Sequence, residues 1–218
     1  MNKEWSELNK TMQAQMKKKE TYKMGMDTLF RLRSQLMQTL VSFKEELCRE
    51  DFNAIPFINA DGYHSKTIAY SVWHIFRIED IVAHTVINDE EQVFFAGNYQ
   101  ERIHSPIITT GNELMKQQIA AFSEQLNLEE LYSYISEVRK STEKMLEQLS
   151  YEELKRKIPE ERKRDLQSLH VVSDNEKAGW LIDYWCKKDI RGLIQMPFSR
   201  HWIMHTEACL RIKNKIHV

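Results

Sequence analysis

The sequence predicts an all-α fold: a four-helix bundle with long connections and extra short helices before the last helix. Three observations carry this expectation. Leu, Met, Glu, Lys and Gln dominate, and only six glycines and four prolines interrupt 218 residues, so residues that favour helix prevail almost throughout. Apolar residues recur at the spacing of one helix face in several long segments. Ser, Thr or Asn followed at the third position by Glu recurs ahead of later segments, which is the pattern of a capping box.

The first long helix is expected over 22–49, where Met26, Leu29, Phe30, Leu36, Leu40, Phe43 and Leu47 share a face. Residues 1–21 before it read as an N-terminal extension or a short helix. Pro56 and Asp61-Gly62 then break the pattern, and Ser65 is the expected N-cap of a second helix over 66–88. In the long connection that follows, Gly97, Pro106 and Gly111 deny a continuous helix, and Thr110 with Glu113 marks a new start. Asn127 with Glu130 opens a third helix over 127–149, whose inward side carries Leu131, Tyr134, Ile135, Val138, Met145 and Leu149. Ser150 with Glu153, and Ser173 with Glu176, start two short helices, and the last long helix runs over 198–215.

With 42% hydrophobic residues, the chain can build one well-buried core, and residues 1–218 are expected to form a single domain. The formal net charge of -1 creates no global field that would favour nucleic acid or an anionic membrane as partner. The basic run from Lys155 to Arg164 is diluted by Glu160 and Glu161 and reads as a solvated surface. Cys48, Cys186 and Cys209 form no CxxC pair, which fits reduced thiols in a cytosol. No stretch approaches the roughly 18 to 20 apolar residues of a spanning helix, and the N-terminus lacks the apolar segment of a secretory signal. The expectation is therefore a cytoplasmic protein acting on a small molecule, with a homodimer through exposed helix faces as an open alternative to a monomer.

His201 and His205 lie one helical turn apart in PFSRHWIMHTEACLRIKNKI, within or beside the stripe Phe198, Trp202, Ala208, Ile212, Ile216. Such a pair can supply two metal ligands, or two hydrogen-bonded core histidines. The third candidate is His74, surrounded at helical spacing by Tyr70, Ile78 and Ile81. The residues between the paired histidines are Trp202, Ile203 and Met204, so the glutamate of an HExxH metalloprotease helix is missing. Glu79 and Asp80 fall off the line of His74 and read first as a solvated acidic pair, second as partners of a ligand. Cys209 shares the face of His205 and is a weaker ligand candidate. His64, His84, His104, His170 and His217 fall in loops, on polar faces or at the terminus. Trp180, Trp185 and Trp202 read as core before pocket.

With His74 in SVWHIFRIED and the pair in RHWIMH, the chain over roughly 22–215 resembles the DinB-like (DinB/YfiT-like) superfamily of metalloenzymes. The block WLIDYWCKKDIRGLIQMPFSRHWIMHTEACLRI is similar to that of an uncharacterised bacterial, Firmicute-type subgroup of it. The resemblance implies a four-helix bundle whose metal is held by one histidine of the second helix and a His-x-x-x-His pair of the last, here His74, His201 and His205. Two departures stand out. Where many members continue with further histidine and Arg-Gly-Gln residues, this chain reads Glu207-Ala208-Cys209-Leu210-Arg211, and the connection from Tyr151 to Met196 is enlarged.

Three neutral imidazoles leave a first-row divalent ion with an open position, as in catalytic rather than closed structural sites. Zinc leads, with nickel, iron or manganese as alternatives. Such an ion activates water or a thiol, and the resemblance adds transfer of a low-molecular-weight thiol to an electrophile, with Arg77 or Arg200 as candidate cations at the pocket rim. A metal-dependent hydrolase or thiol S-transferase is the leading expectation. Its rival is a non-catalytic, stress-related binding protein that keeps the bundle but lacks an accessible metal position.

Overall fold

The computed structural model describes residues 2–217, and among them there is no β-strand, only an isolated bridge between Lys157 and Asp189. The fold is all-α. The N-terminal residues form a helix, α1 (Lys3–Gln15), capped by Asn2, whose side-chain oxygen accepts from the Glu4 and Trp5 amides. Trp5 and Met12 are its buried residues, and it packs along α2 (Tyr22–Glu46).

Helix α2 buries Met26, Leu29, Leu36, Leu40 and Phe43, and with them Arg33, which follows Leu29 on the same face. The helix ends at Glu46, short of the expected Arg49, because Leu47 turns extended and Cys48 opens a separate helix, α3 (Arg49–Asn53). The Asp51 carboxylate accepts from the Cys48 amide at 3.0 Å and stabilises that restart.

Helix α4 (Ile68–Asp80) starts at Thr67 rather than Ser65. The Thr67 hydroxyl accepts from the Tyr70 amide at 3.0 Å and lies 2.6 Å from the Ser123 hydroxyl, so the cap is chosen by a tertiary partner. Beyond Asp80 the helix continues as a π-helix over Ile81–Asn88 and stops at Asp89, whose φ of 61° is left-handed. Two short helices, α5 (Val93–Ala96) and α6 (Tyr99–Ile103), occupy the following connection. The expected start at Thr110 and Glu113 is absent: α7 (Gln117–Gln125) begins only after Lys116. Asn127 caps α8 (Leu128–Gln148) as expected, accepting from the Glu129 and Glu130 amides.

Ser150 and Glu153 bond one another around a short 3-10 turn. Then come α9 (Glu161–Ser168), α10 (Glu176–Cys186) and α11 (Ile190–Ile194). Asn175, not Ser173, caps α10. A π-helical turn over Met196–Arg200 leads into α12 (His201–Ile216).

Helices α2, α8, α4 and α12 contact one another in that cyclic order. Every residue of α4 is buried, since α3, α7, α8 and α12 surround it. A helix packed on all sides has no solvated face, so its polar residues need partners inside. The buried apolar residues form two clusters. One joins the later part of α2 to α4, α8 and α12; the other joins α1 and the start of α2 to the π-helix, α10 and α11. Among the described residues, no helix is long and apolar enough to cross a membrane.

Candidate metal centre

His74 comes from the middle of α4, and His201 and His205 from the first two turns of α12. Because α4 and α12 pack side by side, the three rings meet. Their centroids are 5.1 Å (His74–His201), 4.8 Å (His74–His205) and 4.6 Å (His201–His205) apart. One ring nitrogen from each lies within 4.8 Å of the other two. All three residues are buried, and the resulting group could hold a metal ion.

The donor set fits such an ion. Nδ1 of His201 and Nδ1 of His205 are buried without a hydrogen-bond partner, and burying imidazole nitrogens unsatisfied is costly. A cation shared by the three rings would give one nitrogen of each a partner. Burial lowers all three from the ordinary histidine value: His201 to about 4, and His74 and His205 well down, with the neighbouring histidines adding to the effect. The rings are therefore neutral near pH 7, the form that coordinates.

His74 is oriented from behind. Its Nδ1 lies 2.6 Å from the Thr110 carbonyl oxygen; donating there directs Nε2 toward the other two rings. The Tyr70 ring stacks on it at 5.2 Å with 14° between planes, and the Tyr70 hydroxyl donates to the Gly111 carbonyl at 2.9 Å. Gly111 permits this loop: its φ is +74°, and a Cβ there would meet Trp73 and Tyr70 at 3.0 Å. Thr110 thus serves as a backbone acceptor rather than a helix cap. Sequence reasoning missed Tyr70 and Gly111 as orienting residues. The available signal was Tyr70 one helical turn before His74.

Glu79 and Asp80 are fully buried, which corrects the solvated reading. Arg33 grips Glu79 with two guanidinium nitrogens at 2.8 and 2.9 Å, and Trp202 donates to it at 2.8 Å. Asp80 accepts from the Val93 and Phe94 amides, each at 2.9 Å, and from the Tyr134 hydroxyl at 2.8 Å. It also pairs with His84 at 2.8 Å, so His84 is a buried structural residue rather than a polar-face one. Neither carboxylate belongs to the histidine group.

The remaining candidates separate from the site. Arg77 is buried, donates to the Ile108 carbonyl and lies over the Phe94 ring, while Arg200 is exposed and outside the cleft lining. Cys209 is buried, its thiol pushed up to about 12 by desolvation, and it stands outside the ligand group. The tryptophans do not cluster: Trp202 and Trp185 belong to different apolar cores and Trp180 is 52% exposed. In the basic run, Arg162 pairs with Asp89 and Asp165, and Lys163 with Asp183.

A cleft of about 520 Å³ opens onto His74 and His205. One wall is the connection from Ile58 to Lys66, the other runs from Asn112 to Lys116, and Lys177 of α10 completes the mouth. The enlarged connection therefore both thickens the second core and reaches the rim. Tyr63 packs against His205 at 5.8 Å, backed by His64, which contacts Arg211.

Fold and site together define an all-helical protein with a buried three-histidine group at the base of a cleft. No family model and no curated protein matches the chain. Among solved structures, a conserved protein from Enterococcus faecalis is similar in fold, with a TM-score of 0.56 over 87% of this chain and 92% of that one, at 15% identity.

Proposed function

We propose that this chain is a DinB-like metalloenzyme in which His74, His201 and His205 hold a divalent ion, zinc first among the choices. The observation that carries the reading is the convergence of three buried neutral imidazoles beside an open cleft. An ion held there supplies Lewis acidity, making a water or a low-molecular-weight thiol nucleophilic near neutral pH for hydrolysis or transfer. The chain's own residues do the rest. Thr110 and Tyr70 fix the His74 ring, Glu79 and Trp202 hold α4 against α12, and the cleft admits a small molecule to His74 and His205. The non-catalytic alternative requires a closed site, and the cleft favours the enzyme over it.

The test is metal content by mass spectrometry on protein purified without a histidine tag, wild type against a His201→Ala, His205→Ala double variant. Near-stoichiometric metal that the variant loses is the expected result. A wild type that stays metal-free after incubation with zinc, nickel or manganese would overturn the proposal.

A further inference from the structure

The cleft carries a charge pattern that the three histidines do not explain. Lys66, Lys116 and Lys177 line it, against a single carboxylate, Asp61, among the described lining residues. None of the three lysines takes part in an ion pair among the described residues.

Lys66 is the most informative. It is half-buried, its ammonium sits 4.9 Å over the Tyr70 ring, and its nearest acceptor is the Leu114 carbonyl at 3.4 Å. Tyr70 in turn stacks on His74, so one aromatic ring separates this cation from the candidate ligand. Burial, then the charge of Lys177, pushes Lys66 down to about 8. Lys66 and Lys177 line the same cleft without an ion-pair partner among the described residues; like charges near one another are destabilising, and a bound anion reverses the sign of the interaction. Lys116 adds a backbone observation. Its φ of 47° with ψ of −117° is an unfavourable conformation for a side-chain-bearing residue, held at the cleft rim where such strain concentrates at ligand sites.

We propose that the cleft takes a small acid, a molecule whose carboxylate or phosphate group is held by Lys66 and Lys177 with Lys116 at the rim, while its other end faces His74 and His205. This rests on the metal-site reading only for the role of that second end. The lysines need no metal to bind the anion.

Calorimetric titration tests this on chelator-treated and zinc-loaded protein, with succinate, inorganic phosphate and the neutral diamide succinamide at constant ionic strength. Succinate or phosphate is expected to bind both forms, succinamide neither, and the preferred anion identifies the group. Lys66→Met and Lys177→Met should each weaken binding by about tenfold, the scale of one lost charge-assisted contact. Lys23→Met, at an exposed position of α2, should leave it unchanged. A double Lys66→Met, Lys177→Met variant that keeps its Tm and binds the anions as wild type does would overturn the inference, as would no saturable heat with either anion. Lysine-dependent anion binding without zinc binding would remove the metal reading alone. Zinc binding with lysine-independent anion binding would remove this inference alone.

Discussion

Trp202 donates its indole N–H to Glu79 at 2.8 Å, tying the helix that carries His74 to the helix that carries His201 and His205. Arg33 reaches the same carboxylate from α2, stacks 4.4 Å from the Trp202 ring centroid and donates to the Phe198 carbonyl at 3.1 Å. That carbonyl lies in the π-helical turn just before His201. Three helices are therefore registered through one carboxylate beside the candidate ligands.

Removing Arg33 leaves the buried Glu79 carboxyl without its cationic partner. Arg33→Met should destabilise the protein by roughly 3–5 kcal/mol, the usual cost of breaking a buried pair from one side. Trp202→Phe, which retains the Arg33 pair, should cost less, about 1–3 kcal/mol. Urea denaturation followed by circular dichroism measures both. A loss for Arg33→Met no larger than for Trp202→Phe would show that the carboxylate is not held as described.

Gly111→Ala adds a Cβ that meets Trp73 and Tyr70 at 3.0 Å on a backbone at φ +74°. Either the two buried rings or the strained loop must give, and both Tyr70 and the Thr110 carbonyl position His74. Stability should fall by about 1–3 kcal/mol, and zinc affinity by about 10–100-fold. Competition with a chromogenic chelator reads the affinity. Unchanged zinc binding in a folded variant would remove Thr110 from the site.

Metal-free protein should lose stability on acidification. Burial holds His201 at about 4 against 6.5 for an ordinary histidine, so the unfolded chain takes up its proton first as the pH falls. The His201 contribution is present above the ordinary value and lost by about pH 4, at about 1.4 kcal/mol per pH unit, on the order of 3 kcal/mol. Chelator-treated His201→Gln should show a shallower stability profile across that window. Parallel profiles would count against a neutral, buried His201.

His84 should act with the opposite sign. Burial lowers it, but the hydrogen bond and charge of Asp80 outweigh burial and raise it above 6.5. Its stabilising contribution is therefore complete below the ordinary value and is lost as the pH rises through the raised one. Asp80→Asn should abolish that dependence and cost about 2–4 kcal/mol, because the Val93 and Phe94 amides and Tyr134 lose a charged acceptor. Thermal denaturation of both proteins between about pH 6 and 9 decides it.

Much of the local structure was legible. The inward residues of α2 and α8 follow from helical spacing alone, and Asn127 caps α8 as its sequence predicts. Two of the misplaced starts share a cause. Ser65 is the expected N-cap residue and Thr110 opens a capping-box pattern, yet Thr67 has a hydroxyl partner in Ser123 and Thr110 offers its carbonyl to His74; Ser173 instead yields to a second local cap, Asn175, whose side chain accepts from the Lys177 amide. A capping box reports what a segment can do in isolation; neighbouring elements decide whether it is used.

By itself, the sequence determined the helical class and, through the turn between His201 and His205, the helix face on which two candidate ligands project. Periodicity is a local property and survives any packing. Only the tertiary structure decided that α4 lies against α12, so that His74 meets that pair, and that α4 is enclosed on all sides. Enclosure turned Glu79, Asp80 and His84 from apparent surface residues into buried, partnered ones. It likewise assembled the lysine-lined cleft from two connections and α10, segments that share no pattern in the sequence because their proximity is set by which helix faces pack together.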